Sequence, residues 1–93
     1  MTPEQKAQEE KWAAELRACQ IRFKARVMGA LRYRSNKAKR AAYYQLLREQ
    51  IGTDLAREVA KFTEGSIKGT LRIPAWFSAL PDEPIPVPVV GNK

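Results

Sequence analysis

The chain has 93 residues, with 17 Lys and Arg against 10 Asp and Glu, no histidine and one cysteine. This length supports one small domain rather than two, and a lone cysteine excludes an internal disulfide. Without histidine, and with Cys19 alone, neither the commonest general base near neutral pH nor a Cys/His zinc set can be assembled, so an enzyme, a metal and a cofactor are all expected to be absent.

The charge is segregated. From Leu16 to Arg48 there are 33 residues without an acid and with ten cations, whereas the rest of the chain sets all ten acids against seven cations. Such a block makes a local positive field, which points to a polyanionic partner: nucleic acid, DNA or RNA, or an acidic protein surface. The bland alternative is a solvated face kept for solubility. A helical wheel partly supports it, since Arg17 and Lys24 fall on one side of the apolar stripe and Arg22 and Arg26 on the other. No run of 18 apolar residues occurs, and residues 1–12 hold no apolar signal core. A cytoplasmic protein without membrane association is the expectation.

Thr2-Pro3-Glu4-Gln5 marks a helix start, with Thr2 as cap, Pro3 in the first turn and Gln5 completing a capping box. Trp12, Leu16, Cys19, Phe23, Val27 and Ala30 then recur at spacings of three and four, which places them in one stripe less than about 90° wide. The spacing predicts a helix to roughly Leu31 with this stripe in the core, Cys19 included. Glu4, Glu9, Glu10 and Glu15 all lie in its first half, in keeping with the helix dipole. Gly29 is the expected place for a bend or an early end.

Ser35 or Asn36 caps a second helix that ends at Ile51 before Gly52, with Tyr43, Leu46, Leu47, Gln50 and Ile51 facing inward. Thr53 is expected to cap a third helix carrying Leu55, Val59 and Phe62 inward, closed by Gly65. Gly52-Thr53 is too short for anything but a tight helical hairpin or corner. Beyond it, Ile67, Gly69, Leu71 and Ile73 alternate with polar residues and predict a short strand stopped by Pro74. One strand has no partner in this chain, so it pairs across a homodimer, extends another protein's sheet, or is not a strand. Ala75 to Leu80 can form one helical turn presenting Trp76, Phe77 and Leu80. Pro84-Ile85-Pro86-Val87-Pro88 favours an extended, polyproline-like tail.

Chemically, the paired acids Glu9-Glu10 and Asp82-Glu83 are neighbours whose side chains point different ways, so neither is a convincing acid/base site. Gly65-Ser66-Ile67-Lys68-Gly69-Thr70 lacks the Gly-Lys-Ser/Thr order of a phosphate loop. A helix-turn-helix placed on helices 2 and 3 would put Glu58 and Lys61 where buried aliphatics are required, so its register fails. Six cations, Arg26, Arg32, Arg34, Lys37, Lys39 and Arg40, cluster instead around the end of helix 1 and the start of helix 2. Cations at a helix N-terminus cost a few tenths of a kcal/mol each, and a bound phosphate reverses that sign by using the same charges with first-turn N–H groups and the Ser35 hydroxyl. Tyr44, with Tyr33 and Tyr43, interleaves with these charges and could stack on bases. The competing docking surface is the C-terminal strap: Ile67, Leu71, Ile73, Trp76 and Phe77.

The stretch Arg40-Ala-Ala-Tyr43-Tyr-Gln-Leu-Leu47, followed by Gly52-Thr-Asp-Leu55-Ala56-Arg57-Glu58-Val59, resembles small helical proteins carried by bacteriophages and prophages, over about 20 of the 93 residues. The resemblance implies a bacterial cytoplasmic setting and no enzymatic activity, and it assigns no functional residues. The expectation is therefore mainly α: a small three-helix domain over residues 1–65, a long N-terminal helix plus a helical hairpin, followed by an extended, strand-like, proline-rich tail over 66–93. Its expected function is nonenzymatic nucleic-acid binding through the basic junction. The alternative is a phage-type inhibitor or assembly protein that docks on a host or virion protein through its tail.

Overall fold

The structure, a computed structural model, describes residues 2–81 and 85–91. Among the described residues four helices follow one another, α1 (Pro3–Leu31), α2 (Lys37–Ile51), α3 (Thr53–Lys68) and α4 (Ala75–Ala79). The chain is mainly helical, and none of the helices is long and apolar enough to cross a membrane. The Asp82-Glu83 pair and Pro84 of the proline run lie outside the described residues.

α1 begins as its first residues dictate. The Thr2 hydroxyl accepts from the Gln5 N–H at 3.3 Å while the Gln5 side chain accepts from the Thr2 N–H at 3.3 Å, a reciprocal pair that satisfies two donors of the first turn. Asn36, not Ser35, caps α2, its side-chain oxygen accepting from the Lys39 N–H at 3.1 Å. Gly52 alone joins α2 to α3, with φ 91, and acts as the N-cap of α3 without any side-chain cap bond. Thr53 is thus the first helical residue rather than the cap.

α2 and α3 pack on each other and on the second half of α1. Val27 and Ala30 of α1, Tyr43, Tyr44 and Leu47 of α2 and Ala56 and Val59 of α3 form the core, together with Phe77 of α4. The first half of the expected α1 stripe is not in it: Trp12 is 66% exposed, and Leu16 and Cys19 are exposed as well. The reason is length. At 1.5 Å per residue the 29-residue α1 spans about 44 Å, whereas α2 and α3, with 15 and 16 residues, reach only about 24 Å.

α1 also runs through Gly29 instead of ending there. A Cβ at Gly29 would stand 2.5 Å from Tyr43 Oη, and Tyr43 is 0% exposed with its hydroxyl donating to the Arg26 carbonyl at 2.7 Å. The ring has nowhere to go, so overpacking of about 1–3 kcal/mol outweighs the better helix propensity of alanine. Gly29→Ala is expected to lower the urea midpoint; an unchanged or higher midpoint would show that Tyr43 can give way.

The strand expected over Ile67 to Ile73 is not formed, and no strand occurs among the described residues. α3 continues past Gly65 to Lys68 and is closed by Gly69, whose φ of 75 is open to glycine at no steric cost. The Gly65 carbonyl accepts from the N–H groups of Thr70 at 3.0 Å and Leu71 at 3.2 Å. This turn folds Leu71 back over Gly65, where a Cβ would meet the Leu71 Cβ at 2.8 Å. Two glycines four residues apart therefore do different jobs, one for conformation and one for close approach. The apparent alternation around them was a helix end.

α4 is held by its aromatic residues and one cation. Phe77 stacks on Phe62 at 4.8 Å, and Lys24 lies 5.5 Å from the Phe77 ring centroid while its ammonium donates to the Leu80 carbonyl at 2.7 Å. Lys24, expected on the surface, is consequently buried, its apolar stem covering core and its head satisfied.

Candidate nucleic-acid interface

The corner between α1 and α2 is built from the end of one helix and the cap of the next. After Leu31, the N–H groups of Arg32, Tyr33 and Arg34 bond to carbonyls three residues back, at 3.3, 3.0 and 3.2 Å, so the chain tightens before Asn36 opens α2. Arg32, Arg34, Ser35 and Lys37 are exposed on this corner, and Lys39 and Arg26 are half-buried beside it. Asn36 has taken the Lys39 N–H; those of Lys37 and Ala38 precede the first intrahelical acceptor, which is the arrangement an anion uses.

Arg40 and Tyr44 sit differently from the expected phosphate contacts. The Arg40 Nε donates to Glu64 Oε2 and its Nη2 to Glu64 Oε1 at 3.2 Å, a two-point grip on one carboxylate. Its Nη1 donates to the carbonyls of Arg34 at 2.9 Å and Tyr33 at 3.3 Å, which fixes the corner's backbone from inside. Tyr44 donates its hydroxyl to Glu64 Oε2 at 2.9 Å. Both residues are buried and engaged within the fold, so they brace the corner from inside. The Arg40 hydrogen bond, ahead of that from Tyr44, holds the Glu64 carboxyl below its ordinary range, and burial with the Glu64 contact pushes the Tyr44 hydroxyl up.

Tyr43 and Tyr33 are likewise occupied. Burial pushes the Tyr43 hydroxyl up to about 12 against the opposing pull of Arg26 and Arg32. Tyr33 accepts from the Val90 N–H at 3.2 Å, which brings the tail to the same corner. Base stacking by Tyr43 or Tyr44 is excluded by their burial, since neither ring face is open. Among the described residues no carboxylate pairs with Arg32, Arg34 or Lys37, because the one that reaches this corner, Glu64, is consumed by Arg40 and Tyr44.

The C-terminal docking residues are dispersed as well. Ile67 lies within α3 and is half-buried, Phe77 is core, and Leu71, Ile73 and Trp76 are exposed. Trp76 borders an apolar groove of about 600 Å³ whose floor includes Phe23, Val59 and Phe62 and whose rim carries Arg22, Arg26 and Glu58. Leu55, expected in the core, lines this groove and is exposed. Phe23 meets Phe62 edge-on at 5.3 Å.

Two residues, Glu64 at the corner and Lys24 beneath α4, make long-range contacts that carried no signal in the sequence. Glu64 stands 24 positions from Arg40, and Lys24 stands 56 from Leu80; both contacts arise only when α3 and α4 close on α1 and α2. Among the described residues no cluster of carboxylate, cysteine or histidine side chains could hold a metal ion. No protein-family model matches the chain, and neither a curated protein nor a solved structure matches it.

Proposed function

We propose that the protein is a nonenzymatic nucleic-acid-binding factor that grips phosphates through Arg32, Arg34, Ser35 and Lys37, with Arg26 and Lys39 at the margin. The observation that carries this reading is the exposure of Arg32, Arg34 and Lys37 together on one corner whose accessible carboxylate is already spent on Arg40 and Tyr44. Cations placed at a helix start without acids are unfavourable for the isolated fold, and phosphate reverses that sign. Phosphate contact is shared by DNA and RNA, and the burial of Tyr43 and Tyr44 favours backbone over base recognition. A phage-borne protein working in bacterial cytoplasm fits this reading.

Fluorescence anisotropy with labelled duplex DNA, single-stranded DNA and RNA tests it. Binding to at least one is expected at ~50 mM salt, with log K falling against log salt at a slope of roughly −3 for three duplex phosphates. No binding to any of the three at that salt sinks the proposal.

A second reading, docking on a host or virion protein, is favoured by one observation: Leu71, Ile73 and Trp76 leave apolar side chains on the surface, Trp76 at the edge of the groove. Truncating the chain at Pro74 would not isolate this surface, because Phe77 and Leu80 are buried. Substituting serine at Leu71, Ile73 and Trp76 does. A stoichiometric protein that co-purifies through nuclease treatment and is lost in this variant supports docking; partners released by nuclease support the phosphate reading.

A further inference from the structure

The first half of α1 has no cover in this fold. Every residue from Thr2 to Arg17 is exposed, Trp12 and Leu16 among them. A helix of that length is marginal in water when nothing packs on it, and an apolar stripe along it marks an interaction site. The stripe is continuous with the groove: Trp12, Leu16 and Cys19 lead at helical spacing into Phe23, which lies in the groove with Phe62 and Trp76. The charges of α1 are divided along the same line. Glu4, Glu9, Glu10 and Glu15 outnumber Lys6 and Lys11 in the half that projects, whereas Arg17, Arg22, Lys24 and Arg26 face no acid in the half that follows. A helix that is acidic at one end and basic at the other complements an antiparallel copy of itself.

We propose that this face binds a second copy of the chain through antiparallel pairing of α1, with Trp12 of each copy seated in the groove of the other. One register satisfies the stripe and the charges together. With the two-fold axis between Arg17 and Ala18, Trp12 meets the partner's Phe23, Leu16 meets the partner's Cys19, and Glu9 meets the partner's Arg26. Glu15 then flanks the partner's Arg22. In heptad terms Glu9, Leu16 and Phe23 take one seam position and Trp12, Cys19 and Arg26 the other, so each layer joins unlike positions across the pair. Sliding the copies by one heptad would set Arg26 against Leu16, or Glu9 against Cys19. The like-charge costs that remain are Arg17 beside its own copy and Lys11 level with Lys24 across the pair, both outside the seam. Each contact occurs twice, as a two-fold interface requires.

This pairing shares only the marginal Arg26 with the phosphate reading and is tested without nucleic acid. Sedimentation equilibrium of the full chain at ~100 µM is expected to return twice the chain mass of 10.6 kDa. Trp12→Ala and Glu9→Arg are each expected to return the single-chain mass while keeping the helical circular dichroism of the core, since both side chains are exposed in the single chain. Combining Glu9→Arg with Arg26→Glu is expected to restore the dimer. A native chain that stays at 10.6 kDa leaves the stripe to a foreign helix and overturns the proposal. A dimer indifferent to Glu9→Arg overturns the register.

Discussion

Replacing Arg32, Arg34 and Lys37 together with alanine is expected to weaken duplex binding about 3,000-fold at ~50 mM salt. Each neutralised phosphate releases condensed counterions with a slope near −0.9, so one contact is worth roughly 15-fold between 1 M and 50 mM salt, and three multiply to the stated loss. The salt slope itself should flatten by almost three. Folding is expected to be untouched, because the three side chains are exposed, and removing the Lys37 charge from the first turn of α2 stabilises the helix by a few tenths of a kcal/mol. Arg17→Ala, an exposed cation of α1 about four turns before this corner, serves as the control and should change affinity no more than a few-fold. If the triple variant binds within about threefold of the native chain, phosphate contact lies elsewhere and this corner is only a solvated turn.

Glu64→Ala is expected to be the most damaging single substitution away from the apolar core. It removes the acceptor of two Arg40 donors and of the Tyr44 hydroxyl at once, leaving a buried guanidinium with carbonyl partners alone. Breaking a buried pair on one side costs about 3–5 kcal/mol; the 31% exposure of the Glu64 side chain lowers the expectation to about 2 kcal/mol. That is a large share of the small net stability available to a chain of this size. Urea unfolding measures it, and a change below about 0.5 kcal/mol would show that water replaces the carboxylate without loss. Replacing Arg40 and Glu64 together with leucine is expected to cost less than the sum of the single changes, because no unpaired charge remains.

The pair also sets an acid limb. Hydrogen bonding from Arg40 and then Tyr44 holds the folded-state pKa of Glu64 below the ordinary 4.5, against the opposing effect of burial. Its stabilisation is therefore complete above the unfolded value and is lost as pH falls through the folded one. Native protein should lose stability below pH 4.5 more steeply than Glu64→Ala does. Equal slopes would mean that the carboxylate is no better placed in the fold than in the unfolded chain.

The helices were legible because their signals are local. The capping box at Thr2 and Gln5, the apolar spacing of α1 and the glycine between Ile51 and Thr53 each act within a turn or two, and α1 and α2 end where those residues place them. The end of α3 was not legible, since Gly65 and Gly69 look alike in one dimension and only the return of Leu71 distinguishes a packing glycine from a terminating one. The acid-free block was legible as composition, and the structure places its Arg32, Arg34 and Lys37 at the surface.

What the sequence by itself determined is the set of long helices and the separation of charge, because helix propensity, caps and net charge are sums over near neighbours. What only the tertiary structure decided is which members of a uniform pattern face water. Trp12 and Val27 share one stripe, yet the first is exposed and the second buried, because the shorter α2 and α3 cover only part of α1. Arg34 and Arg40 share one basic cluster, yet one faces solvent and the other grips Glu64, because that contact joins residues 24 apart in the chain. Burial and long-range pairing depend on what arrives from elsewhere in the chain, and a one-dimensional pattern does not contain that distance.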